Sequence, residues 1–250
     1  MDRSLFNYLL RLADDSLILG QRLGEWCGHG PALEIDMAMT NISLDLFGQS
    51  RSLYQYAAQI QGEGKTEDDL AFLRDSWDFY NCLLVEQPNG DFAQTVARQF
   101  FFDAYQFMLY TELKKSDNDQ LAAIAAKSLK ETAYHLRFSR EWMKRLGDGT
   151  EESHTRLQDA VDKLWRFTAE LCQMTPLDEE MIEKGIGADL NVVRKEWDKE
   201  VDKILTEARL KLPEKTVMQY GGRNGVHTEH HGFILTDMQY LQRTYPGLEW

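Results

Sequence analysis

Residues 32–61 read ALEIDMAMTNISLDLFGQSRSLYQYAAQIQ, and this stretch decides the fold class. Its apolar side chains recur every three or four residues, which is the period that places them on one face of an α-helix. These core positions are Ile35, Met39, Ile42, Leu46, Leu53, Ala57 and Ile60. A break at Gly28-His29-Gly30-Pro31 precedes the stretch, and Gly62-Glu63-Gly64 follows it, so the pattern predicts one long amphipathic helix.

The same helical period recurs on both sides of this stretch, with only five prolines in the chain to interrupt it. The sequence predicts further helices over residues 4–26, 91–115, 118–146, 151–174, 178–184, 191–210 and 229–243, and a short helix beginning near Thr66. No segment shows the sustained alternation that is typical of a strand. The predicted fold is therefore all-α.

Four of the predicted helices are long, and they come in two consecutive hairpins. Two such hairpins, joined by a crossover, predict an antiparallel four-helix bundle. No linker separates two regions, so we expect a single domain over residues 1–250, with a core bundle in 1–147 and additional helices in 148–250 packing on it.

The composition restricts the possible partners and the cellular location. The formal net charge of −13 argues against nucleic acid, because phosphate binding needs a basic surface. No apolar run is long enough to span a bilayer, and acidic residues near the N-terminus do not fit a signal peptide. The sequence thus predicts a cytoplasmic protein with no membrane partner. Cys27, Cys82 and Cys172 are isolated, which favours reduced thiols.

Each of the four long helices carries one carboxylate in an apolar setting, namely Asp14, Asp45, Asp103 and Glu131. The separation within the first hairpin is 31 residues and within the second 28 residues, so both pairs come to similar levels. We therefore expect the four acids to converge on one layer of the bundle. For Asp45 an alternative stays open, because Asn41, Gln49 and Ser52 share its face and could form a solvated stripe.

Such a layer invites comparison with the helical di-iron carboxylate proteins, in which two helices give one Glu each and two give a Glu-x-x-His pair. Glu131 is followed by His135 at i+4, and Tyr134 stands at the i+3 position. Gly48 stands three residues after Asp45, where the second histidine would be needed. The ligand count thus predicts a degenerate site that binds no metal, and a weak mononuclear site remains the alternative.

If the acids form a metal-free polar layer, they need hydrogen-bond donors or counterions. The candidate counterions are Arg98, Lys127 and Arg137, and the sequence does not choose among them.

Three other segments resemble functional motifs only in part. Residues 151–154 (EESH) contain a Glu-x-x-His, but acids that open a helix are explained by the helix dipole. Residues 227–232 (HTEHHG) differ from the order of the HExxH zinc motif, so we favour a polar helix start or an interface over zinc. Residues 221–225 (GGRNG) are no P-loop, and they suggest a docking loop.

Several long motifs resemble the C subunits of bacterial ring-1,2-phenylacetyl-CoA epoxidases. The matching stretches are QRLGEWCGHGPALEIDMA (21–38), LDLFGQSR (44–51), LLVEQPNGDFAQTVARQ (83–99), KETAYHLRFSREW (130–142), GGRNGVHTEHHG (221–232) and MQYLQR (238–243). Together they extend from the first helix to the last. The resemblance therefore covers essentially the whole chain.

The resemblance implies a ferritin-like fold and a structural, non-catalytic subunit with no cofactor of its own. It implies a heterodimer with a catalytic A subunit that holds the di-iron centre, within a complex that binds phenylacetyl-CoA. That complex uses O2 and electrons from an NADPH-dependent reductase to epoxidise the ring in phenylacetate catabolism. The vestigial di-iron positions would be Asp14, Asp45, Gly48, Asp103, Glu131, Tyr134 and His135.

Two functional interpretations therefore compete. The first is the structural subunit, and the alternative is a metal-binding carboxylate oxygenase that is catalytic in its own right. The aromatic stretch FFFDAYQFMLY (100–110) suits a subunit interface, and an ordinary core helix explains it equally well.

Overall fold

The computed structural model of the chain describes residues 2–248. This part of the chain contains ten α-helices and no strand. The helices are Arg3–Gly24 (α1), Leu33–Gln61 (α2), Glu67–Phe72 (α3), Leu83–Glu86 (α4), Phe92–Leu113 (α5), Asp119–Gly147 (α6), Glu151–Leu164 (α7), Pro176–Glu183 (α8), Leu190–Glu207 (α9) and Glu229–Thr244 (α10). The predicted all-α class is confirmed, and the order of two long helical hairpins followed by further helices is that of a ferritin-like bundle.

Polar caps mark where three of the four long helices, α1, α5 and α6, begin. Asp2 accepts a hydrogen bond from the Leu5 amide at 3.1 Å, Asp91 from Gln94 at 2.9 Å, and Asn118 from Leu121 at 2.9 Å. Each cap satisfies a backbone donor that the first helical turn leaves without an internal acceptor. Helix α2 ends at Gly62, whose positive φ of 72° suits a residue without a side chain.

The sequence-based prediction of the helices is wrong in two places. The helix predicted over 151–174 ends as an α-helix at Leu164 and continues as two 3₁₀ turns, Trp165–Phe167 and Ala169–Cys172. Between these turns the Thr168 hydroxyl donates to the Trp165 carbonyl at 2.8 Å, which supports the tighter turn. Helix α4 is absent from the prediction, because four residues are too few to display a helical period.

The chain divides into two compact units. The first unit contains the described residues up to Gln87 together with those from Gly221 onward, and the second is Pro88–Tyr220. The region after residue 147 is thus shared: α7 to α9 belong to the second unit and α10 to the first. The expectation of a single domain stays a prediction.

Helices α1 and α2 pack along each other in the first unit, and α3, α4 and α10 contact this hairpin or one another. The short connection between α1 and α2 makes them antiparallel. The buried face of α2 contains the predicted core positions Met39, Ile42, Leu46, Leu53 and Ala57. The long helices of this unit hold the buried carboxylates described below.

Helix α5 lies at the centre of the second unit, where α6, α7 and α9 all pack against it. Phe100, Phe101 and Phe102 are fully buried, so the aromatic stretch of α5 is core and not an exposed surface. The indole of Trp197 donates to the Phe101 carbonyl at 2.9 Å and stacks on Trp165 with ring centroids 5.8 Å apart. These contacts attach α9 and the first 3₁₀ turn to α5.

Across residues 2–248 the helices offer no apolar segment of the length that crossing a bilayer requires.

Candidate functional site

Asp14 lies on α1 with no exposed surface, and its carboxylate is saturated by hydrogen-bond donors. The Tyr54 hydroxyl donates to Oδ1 at 2.5 Å, and the Tyr80 amide donates to Oδ2 at 2.8 Å. The Arg74 guanidinium contacts both oxygens, through Nη2 to Oδ1 and through Nη1 to Oδ2 at 3.2 Å. We refer to Asp14, Tyr54, Arg74 and Tyr80 as the Asp14 cluster.

Arg74, which supplies the charge of this cluster, lies just after α3. Its Nε donates to the Leu70 carbonyl at 2.5 Å and its Nη1 to the Asp78 carbonyl at 2.7 Å, while the guanidinium lies 4.0 Å from the centre of the Phe79 ring. Burial lowers the pKa of Arg74, but the charge and hydrogen bond of Asp14, together with Tyr54 and Tyr80, outweigh burial, and the net pKa is raised. A permanent cation therefore occupies the space next to Asp14.

The pKa of Tyr54 is raised as well. Burial raises the pKa of its phenol, and the charge of Asp14 raises this pKa further. The phenol therefore stays protonated and donates to the carboxylate. Sequence reasoning had no means to find Arg74 or Tyr54, because 60 and 40 residues, respectively, separate them from Asp14 along the chain.

Asp15, next to Asp14 on α1, forms a second buried ion pair. Its Oδ2 accepts from Arg223 Nη2 at 2.8 Å, and its Oδ1 accepts from the Cys82 amide at 2.7 Å. Burial raises the pKa of Asp15, and the charge and hydrogen bond of Arg223 oppose that rise. Arg223 also donates to the Tyr80 carbonyl at 3.0 Å.

The GGRNG segment is thus a docking loop for a surface of its own unit. A Cβ on Gly222 would lie 2.1 Å from the Asn81 carbonyl oxygen, and one on Gly225 would lie 2.4 Å from the Trp77 carbonyl oxygen. Gly225 also has a positive φ of 75°. Both glycines are needed because the loop backbone lies directly against residues 77–83.

The histidine segment after this loop contacts Glu86 at the end of α4. His227 Nδ1 lies 2.7 Å from Glu86 Oε1, and its Nε2 lies 3.0 Å from the Phe79 carbonyl oxygen. Both partners are acceptors, so the imidazole carries a proton on each nitrogen. Burial lowers the pKa of His227, but the hydrogen bond and charge of Glu86 outweigh burial, and the net pKa is raised.

Glu86 also accepts hydrogen bonds from Thr228, the N-cap residue of α10. The Thr228 amide and hydroxyl donate to its Oε2 at 2.9 and 2.6 Å, and Asn81 donates to its Oε1 at 3.1 Å. A carboxylate at the N-terminus of a helix is favoured by the helix dipole. The predicted polar helix start is therefore confirmed for the HTEHHG segment.

His231 stacks on His227 with ring centroids 4.0 Å apart, and it contributes no charge. Burial, the charge of His227 and that of Arg74 together lower the pKa of His231 to about 3. Its Nδ1 is 2.8 Å from the Ser76 hydroxyl. The pair thus consists of one charged and one neutral ring, and this neutral ring packs edge-on against Phe79.

Asp103 on α5 and His135 on α6 are two of the predicted positions, and both belong to the second unit. Both side chains are fully buried, and Asp103 Oδ1 accepts from Gln99 Nε2 at 2.6 Å. Burial raises the pKa of Asp103 to about 6, against the opposing effects of His135, Ser139 and Gln99. His135 thus acts on Asp103 electrostatically.

Apart from the buried Asp14, the remaining predicted positions lie at or near the surface. Asp45 and Glu131 are half-buried, Gly48 is exposed, and Tyr134 is 38% exposed. The alternative for Asp45 was a solvated stripe shared with Asn41, Gln49 and Ser52. Asn41 is exposed but Gln49 is buried, so this stripe is only partly in contact with solvent.

None of the three candidate counterions is the cation that neutralises Asp14 or Asp15. Arg98 is buried and donates to the Asn89 side chain at 2.7 Å, Lys127 is exposed, and the guanidinium of Arg137 lies 5.4 Å from the Tyr134 ring centre. Arg74 and Arg223 have that role instead.

A pair of irons does not fit these residues. Asp14, the first expected ligand, has both oxygens engaged by donors and a guanidinium where a metal ion would have to bind. Gly48 has no donor atom and faces solvent. Within residues 2–248, no three His, Cys, Asp or Glu side chains are grouped as a metal site would require.

The Glu-x-x-His of residues 151–154 lies in the first turn of α7. Glu151 and Glu152 are exposed, and His154 Nδ1 lies 2.7 Å from the Gly147 carbonyl oxygen. The predicted explanation, acids that favour a helix N-terminus, is confirmed.

Comparison with known proteins gives two results. The sequence model of the family described as phenylacetic acid catabolic protein matches residues 1–250. The chain is also 54% identical, over 243 residues, to the C subunit of the 1,2-phenylacetyl-CoA epoxidase of Escherichia coli (strain K12). The alignment covers 97% of this chain and 98% of that protein.

Proposed function

This chain belongs to the family of phenylacetic acid catabolic proteins, and from that membership we propose that it is the structural subunit of a 1,2-phenylacetyl-CoA epoxidase. In this role it pairs with a catalytic A subunit and supports the binding of phenylacetyl-CoA by the complex. The di-iron centre and the reaction with O2 belong to the A subunit. The chain itself carries no cofactor, and it acts in the cytoplasm, where phenylacetate is degraded.

The single observation that carries the non-catalytic role is the Asp14 cluster. A metal ligand must offer an oxygen lone pair to the metal ion, whereas both oxygens of Asp14 accept from Tyr54, Tyr80 and Arg74. A pair of irons would also have to displace the guanidinium of Arg74, which leaves Asp14 as a counterion and not as a ligand.

The ligand positions on α2 and α6 support the same role. Gly48 supplies no imidazole, and Tyr134 points to the surface, so His135 is the only nitrogen ligand among the vestigial positions. Asp103 and His135 alone are too small a donor set for two irons. No observation favours the alternative of an oxygenase that is catalytic in its own right.

The test is the iron content of the full chain, expressed alone in iron-supplemented medium and measured by elemental analysis. We expect no stoichiometric iron, with a helical circular-dichroism spectrum that shows a folded protein. The catalytic A subunit prepared in parallel is the positive control. Two irons per chain, retained after dialysis against a chelator, would overturn the proposal and favour the catalytic alternative.

A further inference from the structure

Helix α2 exposes three large apolar side chains, Leu33, Met37 and Leu44, in its first half. Most of its exposed residues follow one line at helical spacing, and we refer to these as the α2 ridge: Leu33, Met37, Asn41, Leu44, Gly48 and Arg51. The exposed fractions of Leu33, Met37 and Leu44 are 72%, 56% and 60%. Because an ordinary surface helix places polar or charged residues on this face, the ridge is unusual for a surface that stays in contact with water.

Helix α6 shows the contrast within the same chain. It has the same length of 29 residues as α2. Its exposed face contains Lys127, Lys130, Arg137 and Glu141, which is the solvated pattern. An apolar exposed face is therefore not a property that the long helices of this chain share.

The shape of the ridge fits another helix. From Leu33 to Arg51 it extends for about 27 Å at the rise of an α-helix. No atom lies within 4 Å of the position that a Cβ on Gly48 would occupy. At Gly48 the ridge therefore has no side chain, and the helix backbone itself is the exposed surface. A small residue of this kind lets a second helix approach closely between the larger side chains that precede it.

The net charge of the chain helps to decide whether the partner helix comes from a second copy of this chain or from a different chain. Two copies of a chain with a net charge of −13 repel each other, which disfavours a homodimer through a nearly uncharged ridge. The charged residue of the ridge, Arg51, is already partnered by Glu67 at 3.2 Å, so the ridge presents apolar contacts with little demand for counterions. A different chain with an apolar helix face is the better fit.

We propose that the α2 ridge is the surface on which a helix of the catalytic A subunit packs. This inference rests on the proposed function, and it adds the location of the interface and the apolar, helical nature of the contact. Leu44 lies at the middle of the ridge, where side chains at an interface are most completely removed from water and contribute most to affinity.

The experiment uses the full chain co-expressed with the A subunit, with the affinity of the purified pair measured by calorimetry. Met37→Asp and Leu44→Asp place charges on the ridge without touching the buried face of α2. We expect each to weaken pairing by about tenfold or more. The control is Val192→Asp on α9, where a residue that is 43% exposed receives the same charge.

The outcomes separate this inference from the proposed function. Weakened pairing in both ridge variants, with unchanged melting temperatures and normal pairing of Val192→Asp, supports the inference. Normal pairing of both ridge variants overturns it and leaves the proposed function intact. If the unaltered chain does not bind the A subunit at all, the proposed function fails and the inference fails with it. If the unaltered chain alone forms a dimer that Leu44→Asp dissociates, the occupant is a second copy and the inference is overturned.

Discussion

Asp14 and Asp103 are both fully buried aspartates on long helices, but they differ in the groups that stabilise their negative charge. Asp14 has a guanidinium in direct contact, whereas Asp103 has an imidazole, an amide and a hydroxyl around it. A guanidinium in direct contact balances a buried carboxylate more fully than amide and hydroxyl donors do. As a result, the pKa of Asp103 is raised to about 6 by burial.

The raised pKa of Asp103 predicts how stability depends on pH. An acid whose folded pKa lies above its unfolded value stabilises the fold fully below the unfolded pKa, near 3.8, and loses that contribution as the pH rises through about 6. We therefore expect Asp103→Asn to raise the free energy of unfolding at pH 8 by about 1–3 kcal/mol. At pH 4 the variant and the unaltered chain should have similar stabilities.

The measurement is urea unfolding, followed by circular dichroism, at pH 4, 6 and 8. Asp45→Asn is the control, because Asp45 is only half-buried and no comparable gain is expected there. A pH-independent effect of Asp103→Asn would show that Asp103 is not the group that titrates.

At the scale of the elements, the long helices could be predicted from the sequence, because the three-to-four-residue spacing of positions such as Met39, Ile42 and Leu46 extends over many turns. Helix α4 and the 3₁₀ turns after Leu164 could not, because they are too short for a period. For the site, the burial of Asp14 and Asp103 could be predicted from their apolar settings on the long helices.

The partners of Asp14, Asp15 and Glu86 could not be predicted in the same way. Arg74 lies 60 residues from Asp14, and Arg223 lies 208 residues from Asp15. Such pairs are decided by how the whole unit packs, and no local spacing in the sequence indicates them.

Gly222 offers a test of the docking loop as an element. Gly222→Ala would place a methyl group 2.1 Å from the Asn81 carbonyl oxygen, so the backbone must shift. We expect a loss of about 1–3 kcal/mol in the free energy of unfolding, measured by urea titration. Gly232→Ala on α10 is the matched control, because nothing lies within 4 Å of the added atom, and it should be neutral or stabilising by up to about 1 kcal/mol. Equal effects of the two substitutions would contradict the tight docking of the loop.

At the scale of the whole molecule, the first unit is assembled from both ends of the chain. A chain that ends at Tyr220 lacks Arg223, His227 and Thr228, so the buried carboxylates of Asp15 and Glu86 lose their partners. Each uncompensated buried charge costs about 3–5 kcal/mol, and a typical domain has only about 5–15 kcal/mol of stability.

We therefore expect the chain that ends at Tyr220 to retain helix in the second unit but to lose the cooperative melting of the first. Circular dichroism melts and hydrogen exchange of residues 3–24 measure this loss. A chain that ends at Tyr245 keeps all three partners and should melt normally. Native-like exchange protection of α1 in the shorter chain would contradict the role of the C-terminal segment.

The distance along the chain between Asp15 and Arg223 also has a consequence for synthesis on the ribosome. The first 87 residues emerge early, but the cations that neutralise Asp15 and Glu86 emerge only after residue 222 has been added. The second unit, by contrast, is contiguous and can fold as soon as its own residues have left the exit tunnel. The nascent α1–α2 hairpin therefore cannot complete its unit until more than half of the protein has been translated, and its apolar side chains stay exposed to solvent during that time. This makes the hairpin the segment that a chaperone would have to protect.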